Sequence, residues 1–129
     1  MFVVQLPFVP KSILRGNSTA QSWRPKAQAK KEMRESGEAH GLEIVAKHPD
    51  VDFPLKTDLH IAISYWNVRR VDCDNMLIGY KPFLDGMQGI VYADDRQIQM
   101  MSISRHKGDP ATMIVIREIV EEDDAHNEV

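Results

Sequence analysis

The chain has 129 residues, one cysteine and 43% hydrophobic residues. That suits a single domain with a real core, and it excludes both a disulfide framework and a multi-cysteine zinc site. The formal net charge is −3, but five of the 19 acids fall in residues 120–129, leaving 14 against 16 Lys and Arg, a net of +2. Charge therefore does not exclude a nucleic-acid partner.

The opening "MFVVQLPFVP" is apolar yet far short of the roughly 20 residues of a membrane span. It also lacks the basic start and cleavage site of a secretory signal, so the expectation is a soluble cytoplasmic protein without a membrane partner. "FVVQL" reads as a strand stopped by Pro7 and Pro10, and "KSILRGNSTA" as a loop. Residues 20–39 are rich in helix formers, with Pro25 in the first turn and Gly37 or Gly41 expected to end the helix. Residues 1–36 hold seven bases against Glu32 and Glu35. A basic third attached to an acidic centre suits a polyanion that must meet a metal, although a solvated helix face would carry the same charges.

"LEIVAKHPDVDFP" is ambiguous between a short strand and a turn. "LHIAISYWNV" alternates Leu59, Ile61, Ile63 and Tyr65 on one face, which predicts a strand. Residues 75–87 carry Met76, Leu77, Tyr80, Phe83, Leu84 and Met87 at three- and four-residue steps, which predicts a helix kinked or broken by Pro82 near Lys81. "QIQMMSISR" and "TMIVIREIV" read as two further strands joined by the turn "HKGDP". The fold class expected is α+β, a small mixed β-sheet with helices packed on it. Residues 1–119 form the domain, and residues 120–129 an acidic tail expected to be disordered.

Four aspartates flank the second helix. Asp72 and Asp74 follow a strand at alternate positions, and Asp94 and Asp95 precede the next one. If those strands are neighbours, their acid-bearing ends can converge, and like charges held that close call for a cation. Hard oxygen ligands favour Mg²⁺ or Mn²⁺. Each residue also has a plain structural reading: Asp74 before Asn75 as a helix cap, Asp94–Asp95 as a turn, and Lys81 with Asp85 as a helix-surface pair. The five histidines show no ligand spacing, His106 reads as a turn or backbone-contacting residue rather than a ligand, and no P-loop or G-x-G-x-x-G is present. "YADD" matches a reverse-transcriptase hairpin only by its shortness, since 129 residues leave no room for that fold.

Taken together, "DCDN", Lys81, "KPFLDGM" and "YADDRQI" resemble the RusA family of Holliday junction resolvases, over residues 59–116 and more loosely before them. The lysine spacing follows the longer form of the pattern, with Met76 to Tyr80 between Asp74–Asn75 and Lys81. The resemblance implies a homodimeric, Mg²⁺-dependent endonuclease, with Mn²⁺ as a substitute and no organic cofactor. It would cut four-way DNA junctions by paired symmetrical nicks in recombination and repair, in a bacterial or phage-infected cell. Carried over, Asp72, Asp74 and Asp95 are the catalytic metal-binding acids, and Lys81 is the cation near the scissile phosphate. Asp94, Asp85 and Asn75 are assisting residues. Arg24, Lys26, Lys30, Lys31, Arg69 and Arg70 would grip DNA. The alternative is a catalytically inactive branched-DNA-binding protein of the same fold. A metal-binding or interaction domain unconnected with nucleic acid is disfavoured by the basic N-terminal third.

Overall fold

Alternation along the strands sets the inner face of the sheet. The computed structural model describes residues 1–16 and 23–120. The expected start of the first helix at residues 20–22, part of the preceding loop, and all but the first residue of the acidic tail lie outside the described residues. Strand β1 (Phe2–Leu6) turns Phe2, Val4 and Leu6 inward. Helix α1 (Trp23–Lys47) follows, then β2 (Asp58–Asn67), α2 (Cys73–Met87), β3 (Ile98–Lys107) and β4 (Ala111–Ile119). Strands and helices form the expected small mixed sheet with two helices, an α+β fold.

The sheet order is β1-β4-β2-β3, with β2 and β3 parallel and the other pairs antiparallel. Three inward rows cross it: Phe2–Ile116–Ile61–Met101, Val4–Ile114–Ile63–Ile103 and Leu6–Thr112–Tyr65–Arg105. The first two rows are wholly apolar. The third turns polar, and that row faces the functional end of the molecule.

Two sequence expectations are corrected. Helix α1 does not stop at Gly37 or Gly41 but runs on to Lys47, absorbing the first part of the ambiguous stretch. Those glycines serve packing rather than termination. A Cβ on Gly37 would lie 2.0 Å from the Phe83 carbonyl oxygen, and one on Gly86 would lie 2.1 Å from that of Arg34. The two helices therefore touch backbone to backbone.

Helix α2 also passes through Pro82 without ending. Met76, Tyr80, Phe83, Leu84 and Met87 on its inner face are all buried. At roughly 1.5–3 kcal/mol per buried side chain, they outweigh the ~3 kcal/mol of an internal proline. Finally, β3 and β4 are consecutive but not neighbours, because β2 lies between them. Their link crosses the end of β2, where the Gly108 N–H donates to the Asn67 carbonyl at 3.2 Å. No helix among the described residues is long and apolar enough to cross a membrane.

Candidate active site

The end of β2 is pinned by one phenol. Tyr65, fully buried, donates its hydroxyl to the Val71 carbonyl, and it also reaches the Cys73 sulfur at 3.8 Å. Burial and the neighbouring Cys73 push the phenol pKa up, so it remains a donor. These two contacts bracket Asp72. Asp72 is the N-cap residue of α2, and its carbonyl accepts from the Met76 N–H at 3.0 Å. Its side chain makes no capping hydrogen bond, so the carboxylate is available for other contacts. Tyr65 pairs with Arg105 across the parallel strands. That register lets Arg105 Nη1 approach Asp72 Oδ1 to 3.6 Å, and Arg70 Nε approaches the same oxygen at 3.6 Å. Asp74 is in the first helical turn and exposed. It is therefore not the cap that its place before Asn75 suggests. Asn75 is half-buried, and its carbonyl accepts from the Gly16 N–H at 3.0 Å, which lays the N-terminal loop against the start of α2.

Helical spacing carries the site along α2. Asp74, Ile78, Lys81 and Asp85 stand four, three and four residues apart and are all exposed, so they form one outward stripe. Lys81 and Asp85 form no ion pair among the described residues. The stripe begins at Asp74 and ends beside the second acidic group.

That second group is a built turn. Asp94 accepts from the Arg96 N–H at 2.9 Å, and its other oxygen meets the Arg96 guanidinium at 3.3 Å. The Arg96 backbone and side chain hold the Asp94 carboxyl below the usual carboxylate range. Gln97 closes the turn. Its oxygen accepts from Ala93 and Asp94 N–H at 2.9 and 2.8 Å, and its nitrogen donates to the Leu55 and Thr57 carbonyls, both at 2.8 Å. Asp95 starts the single 3-10 turn Asp95–Gln97 and is exposed. Tyr92 donates to the Leu84 carbonyl at 2.7 Å, and its pKa is pushed up first by burial, then by the charges of Asp85 and Asp95. Asp85 and Asp95 thus share one neighbourhood.

The two acidic groups do not meet within the chain. The strands they flank are neighbours as expected, but they are parallel. Asp72 follows the end of β2, whereas Asp94 and Asp95 precede the start of β3, at the opposite edge of the sheet. From Ile98, beside that start, to Arg105, beside Asp72, is seven strand steps, or about 23 Å. Among the described residues no three His, Cys, Asp or Glu side chains gather to hold a metal ion. The convergence expected from sequence is therefore overturned for a single chain, and its acids do not by themselves fit a three-carboxylate cation site.

Residues 17–117 match the family model described as endodeoxyribonuclease RusA. The chain belongs to the RusA family. It is accordingly a nuclease, of a family that resolves four-way DNA junctions. No curated protein matches the chain.

For a RusA enzyme the basic residues are the next concern. Arg24, Lys30 and Lys31 are exposed on α1 and Lys26 is half-buried. Lys31 lies 3.9 Å from Glu35. Arg69 and Arg70 line a groove of ≈510 Å³ that also includes Arg105, His106 and Lys107. The last three were missed by sequence reasoning. His106 is not in a turn: it lies on β3, stacked on Trp66 with ring centroids 4.8 Å apart. A signal for Arg105 was present, since Met101, Ile103 and Arg105 share the inward alternation of β3, and a charge in an otherwise apolar register marks a strand end that meets something polar.

Proposed function

We propose that this RusA-family protein is a Mg²⁺-dependent resolvase that acts as a homodimer and nicks two opposed strands of a four-way junction symmetrically. Its setting would be recombination and repair in the cytoplasm of a bacterial or phage-infected cell. The observation that carries the reading is the exposure of the acids within the family match: Asp72, Asp74 and Asp95 are exposed and none spends its carboxylate on a helix cap, Asp72 meeting only Arg70 and Arg105 at 3.6 Å, whereas Asp94 caps its own turn.

A dimer has two tasks in this reading. Paired nicks need two sites related by a two-fold axis. In addition, the separation of the acids along one chain means that a three-carboxylate site would draw Asp72 and Asp74 from one protomer and Asp95 from its partner. Such a site would take Mg²⁺, or Mn²⁺ in its place, with oxygen ligands and retained waters. Lys81, on the stripe with Asp74, supplies a cation for the phosphate under attack. Arg24, Lys26, Lys30 and Lys31 extend phosphate contact along α1.

The test is cleavage of a labelled four-way junction and a matched linear duplex, with Mg²⁺ or with EDTA, beside Asp74→Asn. Paired nicks in the junction alone, dependent on the metal and lost in the variant, are expected. Binding without cutting under Mg²⁺ or Mn²⁺ would overturn the catalytic reading. Mass measurement of the protein in solution tests the dimer, and a monomer at assay concentration would remove the shared site.

A further inference from the structure

The groove at the end of β2 and β3 collects Arg69, Arg70, Arg105 and Lys107 without a carboxylate among its lining residues. Asp72 sits at its edge. Two of the four cations, Arg70 and Arg105, turn to the same Asp72 oxygen, each at 3.6 Å. Neither contact is a close hydrogen-bonded fork. Arg105 is 36% exposed, Asp72 63% and Arg70 76%, so water and a new ligand can reach the cluster. A guanidinium binds phosphate in the same planar, bidentate way as carboxylate, and a phosphodiester offers it two oxygens at closer range. Asp72 and a DNA phosphate are thus alternative partners for one pair of arginines.

We propose that Arg70 and Arg105 form a substrate-released clamp: without DNA they hold Asp72, and a DNA phosphate in the groove takes them over and frees that carboxylate for the reaction. The inference rests on the nuclease reading and adds regulation to it. Tyr65 makes the exchange local, because it holds the Val71 carbonyl before Asp72 and touches the Cys73 sulfur after it, and neither contact takes the Asp72 carboxylate. The competition has a reciprocal consequence: whatever loosens Asp72 must tighten DNA in the groove by the same factor.

Fluorescence anisotropy of a labelled four-way junction and of a linear duplex, both in EDTA, reads this without metal or turnover. Asp72→Asn removes the competitor, and Asp74→Asn removes the same charge two residues away from a carboxylate that pairs with neither arginine. Asp72→Asn is expected to tighten binding by about threefold more than Asp74→Asn, the scale of one exposed ion pair. That excess should vanish when both substitutions are repeated in an Arg70→Gln/Arg105→Gln background, at lower salt so that the weaker binding stays measurable. Equal effects of the two Asn variants, or an excess that survives loss of both arginines, would overturn the clamp. The nuclease reading is judged separately, by cleavage of the junction by the unmodified protein with Mg²⁺.

Discussion

Acidic residues flank α2 on both sides, at its start and in the turn that precedes β3, yet the two groups are built on opposite plans. At the Asp94–Asp95 end the backbone is tied by a capping box and by all four hydrogen bonds of the Gln97 amide. At the Asp72–Asp74 end the main chain is fixed through Tyr65, and the carboxylate of Asp72 meets two exposed arginines. One end presents its acid on a rigid mount, and the other on an adjustable one. A nuclease that must wait for a particular DNA shape has use for both.

Substitutions sharpen that contrast, beginning with chemistry. Asp95→Asn should reduce junction cleavage on the order of a hundredfold or more while the melting temperature holds. Asp94→Asn, which can still cap, should lose less than tenfold; a comparable loss in both would erase the distinction between the two neighbours. The next largest effect is on the fold. Gly37→Ala places a methyl against the Phe83 carbonyl, where no side chain can swing aside, so urea titration should show about 3 kcal/mol of destabilisation or more.

Gln97→Leu keeps the bulk and removes the amide. Two N–H groups and two carbonyls lose their partner, and a destabilisation of about 2–3 kcal/mol is expected. An unchanged urea midpoint would show that water replaces the amide and that the mount is not rigid. Asp94→Ala should lower the urea midpoint by less than Gln97→Leu does, because only the Arg96 N–H and guanidinium lose their acceptor. A further effect is one of pH. Burial pushes the Tyr80 phenol up to about 12, against about 10 in an unfolded chain. The folded state therefore keeps a proton that the unfolded state gives up. Stability is full below pH ~10 and falls as pH rises towards ~12. Tyrosinate absorbance and circular dichroism followed together should show no phenol ionised near pH ~10 while the chain is folded, and tyrosinate forming there in a folded chain would contradict the shift.

Much of this was legible in the sequence where a local rule had no rival. The alternation of residues 59–68 and the apolar stripe of α2 depend only on which side of an element is wet. The family motif pointed to Asp72, Asp74 and Asp95, and all three are exposed. What failed was the inference that depends on strand direction. Neighbouring strands bring their acids together when antiparallel and separate them when parallel, and no feature of residues 69–98 states which applies. Gly37 and Gly41 misled for a related reason, since a glycine that ends a helix and one that admits another backbone look alike in one dimension. Gln97 read as a motif letter until its four partners, two of them some 40 residues away, were in view. Arg105 was hidden by its 33-residue distance from Asp72, which only the β2–β3 register closes.

The place of β4 in the sheet has a consequence for synthesis. Among the described residues the last strand, β4, is an inner one, and it joins β1, the first, to β2. A ribosome must therefore release nearly the whole domain before the sheet can close, so these contacts have the longest range the chain allows and are slow to form. Until then β1 has no neighbour, and the inner face of β2 lacks its partners Ile114 and Ile116. A chain stopped before residue 111 would aggregate or be degraded rather than leave a half-built enzyme free to nick DNA.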